Sequence, residues 1–365
     1  MTRRMRPVDL RTDAITRPTP AMLAAAGRVM PTVRTRRGSA ARQLESRVAA
    51  MVGHEDAVFA PTGSTANLIL LMAVRDRGEL VVLEAESHLA WTEAASVARV
   101  AGLSPMLVEG SGGIVSATMV GDALDDSRLS DHRRTAAVCL ETPHNLHGGR
   151  VPPPAAMAGV VAAAHSRGVH AHVDGARIVH AMVATGAPLP TLLGGADSAT
   201  FGFNKGLSCP SGAVLTGRRA VIERARRDLA LLGVSNQPMA DIAASMCLVA
   251  LDTMVERLSE DHARARSFAQ GMAEVTGFRV DLAGVETNTI MLTVEPPLNA
   301  PSVVRSMAAA GLWAWAVDHR RIRAMTHRHV TDLDIEHAIV AVADAVQAGR
   351  PRATASIARG SRVQR

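Results

Sequence analysis

The chain has 365 residues, 47% of them hydrophobic but only 2% aromatic, with a formal net charge of +6. That length suits a large domain with a smaller one beside it, and no segment reaches the uninterrupted apolar length of a membrane span. The arginines are interleaved with acids along helical stretches such as Ile222–Asp228 and Arg257–Arg266, the pattern of a solvated face, and no nucleic-acid motif accompanies them, so nucleic acid is not an expected partner.

In chain order, Met1–Arg6 is basic, but no apolar run follows it, so it is not read as a signal peptide. Residues 1–50 read as an N-terminal arm and helix. Residues 51–275 read as a large α/β domain. Its predicted strands are Ala57–Thr62, Glu79–Ala85, Ser104–Glu109, Thr135–Glu141, Val169–Asp174, Ser198–Phe203 and Gly212–Thr216. Between most of them lie Ala-rich stretches with apolar residues at helical spacing, such as Thr65–Arg75 and Pro154–Ser166. Strands alternating with helices predict a mostly parallel sheet of seven strands. Polar residues at the carboxyl ends of such strands are the place to look for a site. A long helix is expected over Met239–Gly271. Residues 276–348 then read as a small C-terminal α+β domain, with strands at Gly277–Ala283, Thr289–Glu295 and Ile322–Thr326 and helices at Ser302–Ala310 and Thr331–Ala348. The tail 349–365 has five arginines and no acid, and is expected to be disordered. Cys139, Cys209 and Cys247 are too few and too scattered for a disulfide framework or a thiolate zinc site. They suit a reducing cytoplasm, and no metal site is expected.

Lys205 is the only lysine, against 39 arginines. Arginine replaces a surface lysine almost everywhere but stays protonated and offers no free amine. The surviving lysine therefore points to amine chemistry, first of all an imine with a carbonyl. Gly63, Ser64 and Thr65 stand where a strand gives way to a helix, so free N–H groups and hydroxyls there form either a phosphate cup or an ordinary helix cap. Asp174 closes an apolar strand, where a buried carboxylate needs a cationic partner. That partner is either a protonated pyridine nitrogen or the nearby Arg177. Lys205 follows the next strand, 31 residues later, among small residues that let a flat cofactor approach. Phosphate, ring nitrogen and aldehyde are the three attachments of pyridoxal 5′-phosphate, and the chain offers a residue set for each.

On these motifs the sequence resembles the threonine aldolase and β-eliminating lyase group of fold-type-I pyridoxal-phosphate enzymes. The matching stretches are Asp9–Pro20, Gly63–Asn67, Glu141–Val151, Val173–Arg177, Asn204–Gly212 and Ile322–His327, in the family's order and spacing over roughly residues 8–345. The resemblance implies the fold of aspartate aminotransferase, with Lys205 as the Schiff-base lysine and Asp174 on the ring nitrogen. It implies Gly63, Ser64 and Thr65 at the phosphate, and His88 stacked on the ring. Arg177 and Arg323 would orient the substrate carboxylate, with Thr12 in the place of a helping serine, and His144 would be a second active-site histidine.

The resemblance further implies a small-molecule amino acid substrate and a homodimer or homotetramer with sites at the subunit interface. The reaction it implies is cleavage of a β-hydroxy-α-amino acid (threonine, allo-threonine or a relative) to glycine and an aldehyde. β-Elimination, transaldol transfer, racemisation and transamination stay open as alternatives, as does a non-catalytic pyridoxal-phosphate-binding or regulatory protein. The chain departs from the family near Thr35–Ser39, where arginines stand for acid, and at Asn204, which replaces a serine. These departures leave the identity of the substrate open.

Overall fold

The computed structural model describes residues 7–29, 39–75, 78–126, 134–234 and 237–349. Residues 350–365 of the expected tail, and most of Thr35–Ser39, lie outside them.

The chain enters as β1 (Val8–Asp9), which runs parallel to β11 (Leu312–Trp313), so the N-terminal arm is fastened to a strand late in the chain. The main sheet comprises β2 (Asp56–Ala60), β3 (Leu80–Glu84), β4 (Ser104–Val108), β5 (Thr135–Glu141), β6 (His170–Gly175), β7 (Ser198–Gly202) and β8 (Ala213–Gly217). They lie in the order β2-β8-β7-β6-β5-β3-β4, and only β8 runs against its neighbours. The expected sheet of seven mostly parallel strands is therefore present. Strands β3, β7 and β8 are buried along their whole length, as a sheet covered on both faces requires.

Register decides where the site falls. Glu141 at the end of β5 stands opposite Asp174 on β6, and Asp174 stands opposite Thr200 on β7. Four carboxyl ends of parallel strands, those of β3, β5, β6 and β7, thus open toward one side. Gly175 lets β6 stay close to β7 just beyond Asp174, since a Cβ there would come within 2.4 Å of the Thr200 carbonyl oxygen. After β2 the chain turns into the helix Gly63–Val74, capped by Thr62, whose Oγ1 accepts the Thr65 N–H.

The single helix expected over Met239–Gly271 is two, Gln237–Thr253 and Leu258–Ala273. No glycine or proline marks the break. The first helix packs Ala244, Cys247 and Ala250 into the core of the main sheet, while the second packs Ala265, Phe268 and Met272 into a separate core. Packing against two different cores redirects the chain, and hydrophobic spacing does not record that. The second core belongs to an antiparallel sheet of β9 (Phe278–Val280), β10 (Thr289–Val294), β12 (Trp315–Ala316) and β13 (Arg321–Met325), in the order β12-β13-β10-β9. Helices Ala300–Ala309 and Asp332–Gly349 flank it. No helix among the described residues is long and apolar enough to cross a membrane.

Candidate active site

Asp174 is buried, and both its oxygens accept hydrogen bonds: Oδ2 from Asn67 Nδ2 at 2.8 Å, and Oδ1 from the Ala176 N–H at 3.0 Å. Asn67 lies one turn into the helix that begins at Gly63, so the proposed phosphate cup and the strand-end acid are tied to one element. The internal Asp174–Arg177 pair, open as an alternative from the sequence, is not how Arg177 is satisfied. Its Nε and Nη2 fork onto Asp13, at 2.9 and 2.7 Å, and Asp13 is wholly buried. Asp174 thus lies beside Arg177 without being consumed by it.

Lys205 stands in the turn after β7. Its carbonyl accepts Thr16 Oγ1 at 3.0 Å and the Ser208 N–H at 2.8 Å, which fixes the backbone. Its amine has no partner among the described residues, which leaves it available to an aldehyde. Burial lowers the amine's pKa and the Arg177 charge lowers it further, against the opposing pull of Asp174, Asp13 and Glu141. The turn needs glycine at 206, because a Cβ would meet His180 Nε2 at 2.2 Å. Ser208 holds a left-handed φ of 62°, and its buried hydroxyl is unpartnered.

At the helix start, Thr62 makes the cap and also meets Thr65 Oγ1 at 3.0 Å. The N–H groups of Gly63 and Ser64 have no acceptor among the described residues, and Ser64 is exposed. Cap and cup are therefore compatible, one made by Thr62 and the other presented by Gly63 and Ser64. An unpartnered amine, two free helix N–H groups and a buried acid fit the aldehyde, phosphate and ring nitrogen of pyridoxal phosphate.

His88 begins a short helix after β3. Its N–H donates to Glu141 Oε2 at 2.6 Å, and its Nδ1 meets Glu93 Oε1 at 2.9 Å. Burial alone would lower the imidazole pKa, but the Glu93 bond and the charges of Asp174, Glu93 and Glu141 raise it above 6.5. The other Glu141 oxygen accepts the Asn145 N–H at 2.7 Å. Asn145 Oδ1 in turn accepts Nη1 of Arg323 at 2.7 Å and of Arg177 at 3.2 Å, which brings the two arginines together. Arg323 also donates to the Arg11 carbonyl, while its buried Nε is unpartnered and the Trp315 ring lies 4.5 Å from its guanidinium. Burial and then Arg177 lower the Arg323 pKa to about 10. Thr12 lies at the same edge, its Oγ1 accepting the Ala14 N–H.

His144 is only 1% exposed, with Nε2 on Glu84 at 2.8 Å and Nδ1 buried without a partner. It is thus set deeper than His88. His147 Nε2 lies 2.8 Å from Glu86. Glu84, His144 and His147 bring ligand atoms within 4.8 Å of one another, a grouping that no sequence spacing announces. In this arrangement each imidazole meets one carboxylate through Nε2, Glu84 for His144 and Glu86 for His147. Sequence reasoning also misses Asp13, Asn67, Glu93, Glu141 and Asn145 as site residues. The stretches Asp9–Pro20, Gly63–Asn67 and Glu141–Val151 contain four of them, but their partners are distant in sequence.

A strand-end acid, an unpartnered lysine after the next strand and an open helix start, on a sheet of this order, define a fold-type-I pyridoxal-phosphate enzyme. The chain belongs to the beta-eliminating lyase family, whose model matches residues 9–296. It is 32% identical over 349 residues to low-specificity L-threonine aldolase 1 of Arabidopsis thaliana, covering 92% of this chain and 95% of that protein. Among solved structures it is similar to a threonine aldolase of Leishmania major, with a TM-score of 0.77, 16% identity, and coverage of 93% of this chain and 100% of that one. An aspartate aminotransferase of Rhodobacter sphaeroides superposes with a TM-score of 0.73 at 17% identity, over 94% of this chain and 91% of that one, which speaks to the fold alone. The protein is a pyridoxal-phosphate-dependent lyase that acts on an amino acid.

Proposed function

We propose that the protein cleaves a β-hydroxy-α-amino acid, threonine, allo-threonine or a relative, into glycine and an aldehyde. The observation that carries this reading is the single unpartnered lysine amine beside Asp174, with Arg177 from the main sheet and Arg323 from β13 gathered by Asn145. Gly63, Ser64 and Thr65 would hold the cofactor phosphate, Asp174 the ring nitrogen and Lys205 the aldehyde, with His88 against the ring. Pyridoxal phosphate, when bound, supplies the electron sink for breaking the Cα–Cβ bond.

The chain's own groups do the rest. Asp13 holds Arg177 rigid, so that with Arg323 it would grip and orient the substrate carboxylate. His88 Nε2, which has no partner among the described residues, takes the β-hydroxyl proton. Glu93 at Nδ1 fixes the ring and stabilises the imidazolium that forms. His144, held by Glu84, is a second proton-accepting position reached through water. We infer assembly as a homodimer or homotetramer with sites at the subunit interface. Met239 supports this, lying 62% exposed on a groove lined also by Leu229, Val234 and Ala240. Three free, buried thiols favour a cytoplasmic setting.

Purified protein given a panel of β-hydroxy amino acids is expected to yield glycine and aldehyde in equal amounts. Ammonia, keto acid or inverted substrate as the main product would overturn the assignment. Because the base must be neutral and its pKa is raised, kcat/KM is expected to climb through a midpoint above pH 6.5. Glu93→Gln removes the largest stabilising contact of the imidazolium and moves that midpoint to lower pH. His88→Ala lowers kcat by about 10²- to 10⁴-fold. A pH profile unmoved by Glu93→Gln would assign the proton to another group.

A further inference from the structure

Behind Asp174 a line of hydrogen bonds crosses the sheet. Asn67 Nδ2 lies 2.8 Å from Asp174 Oδ2, and Asn67 Oδ1 meets Thr200 Oγ1 at 2.7 Å and His172 Nε2 at 3.2 Å. His172 Nδ1 lies 2.9 Å from Ser198 Oγ, which lies 2.8 Å from His170 Nε2. Asn67, His172, Ser198 and Thr200 are all buried.

The direction of this line follows from its end. A carboxylate only accepts, so Asn67 must turn its NH₂ to Asp174 and its oxygen away. That oxygen also only accepts, so His172 must carry its proton on Nε2, and Nδ1 is then the acceptor. Ser198 must give its hydroxyl proton to Nδ1, and its oxygen accepts from His170 Nε2. Every donor therefore points toward Asp174. A neutral His172 is required, since its Nδ1 must accept, and the same directions hold with a neutral His170 donating from Nε2. Burial keeps both rings neutral, pushing His172 down to about 3 and His170 to about 4. The charged and titratable groups facing His172 are Asp174, His170 and His54, and those facing His170 are Asp197, Arg218, His165 and Arg224. His54 is itself engaged by Thr216 and the Ala196 carbonyl.

We propose that His172 is a positioning residue which, through Asn67 and with its tautomer set by Ser198, holds Asp174 as a pure acceptor facing the cofactor's ring nitrogen. His172 touches neither substrate nor cofactor. It fixes which way the Asn67 amide points, and so keeps a donor on the rear oxygen of Asp174 while the carboxylate accepts a proton-bearing nitrogen in front. The proposal rests on the reading of Asp174 as the ring-nitrogen partner.

Two measurements test it. In the cofactor-free protein, the imidazole ¹⁵N signals of His172, assigned by their loss in His172→Gln, are expected to show a neutral ring with its proton on Nε2. A proton on Nδ1 would overturn the proposal. In the holoenzyme loaded with pyridoxal phosphate labelled with ¹⁵N in the ring, the wild type is expected to show a protonated ring nitrogen. His172→Leu is expected to move that signal toward the unprotonated position and to lower kcat about ten-fold with KM within about two-fold. His172→Gln, whose amide can donate to Asn67 and accept from Ser198, is expected to restore both. A ring-nitrogen signal unchanged in His172→Leu would reduce His172 to a packing role and overturn the proposal. Wild-type protein that took up no cofactor would overturn the reading of Asp174, and the imidazole signals would still decide the direction of the chain.

Discussion

Lys205→Ala is expected to lower kcat on any β-hydroxy amino acid by more than about 10³-fold. The chain contains no second lysine to substitute for it. Its amine is placed where burial and Arg177 ease loss of the ammonium proton, so the neutral nucleophile is accessible at lower cost than on a surface lysine. Lys205→Arg is expected to fare no better, although it preserves the charge. A guanidinium stays protonated and cannot condense with an aldehyde. Borohydride reduction of the holoenzyme, followed by peptide mass analysis, checks the same assignment without turnover: the pyridoxyl label is expected on the peptide containing Lys205. Full activity in Lys205→Ala, or a label confined to the N-terminal amine, would remove the basis of the site.

What can be read from the sequence is local. A strand followed by a polar residue, or a helix start rich in glycine and serine, is written within a few neighbouring positions. Lys205, Asp174 and the Gly63–Thr65 turn are therefore the candidates that the amino-acid order alone singles out. The groups that orient them are not. Asp13 and Arg177 are 164 residues apart, Arg323 and Asn145 are 178 apart, and Asn67 and Asp174 are 107 apart. Each of these residues alone is an ordinary polar residue near a turn. Only the folded register puts its partner across from it. The same holds for the break at residues 254–257, which is imposed by two cores rather than by a breaker residue, and for β1 and β11, whose two-residue pairing is too short to leave a period. The resemblance supplies roles for His88, His144 and Arg323, but not the depth difference between the two histidines. That difference follows from His144 being drawn in by Glu84, while His88 is held nearer the opening by Glu93.

Asp13→Asn is expected to be the most destabilising single substitution around the site, and to weaken substrate binding as well. Asp13 is wholly buried in the N-terminal arm. It receives two bonds from Arg177 on the main domain and one from Asn288 Nδ2 at 3.0 Å, beside the second core. Removing its charge takes from the buried Arg177 guanidinium the only carboxylate hydrogen-bonded to it among the described residues, and losing one partner of a buried pair costs about 3–5 kcal/mol. Urea unfolding at pH 7 is expected to show a loss of about that size. Asp9→Asn, whose partner Arg11 stands half in water, is expected to cost no more than about 1 kcal/mol. Burial by itself would raise the Asp13 pKa, but the charge and hydrogen bonds of Arg177 outweigh it and hold the carboxyl far below its ordinary 3.8. A carboxyl with a depressed folded pKa stabilises the fold fully above its unfolded value, and that contribution disappears as pH falls through the folded value. The Asp13 contribution is therefore expected to be lost only below about pH 4, beneath the earlier acid loss that begins below about pH 6.5 as the buried His170 and His172 resist protonation, and Asp13→Asn is expected to lack only the Asp13 part. Because Asp13 also immobilises the Arg177 fork, KM for the amino acid is expected to rise more than kcat falls, the signature of a lost binding contact. Equal stability of Asp13→Asn and wild type across this pH range would show that Arg177 finds another counter-ion, and that the N-terminal arm does not hold the carboxylate-binding pair in place.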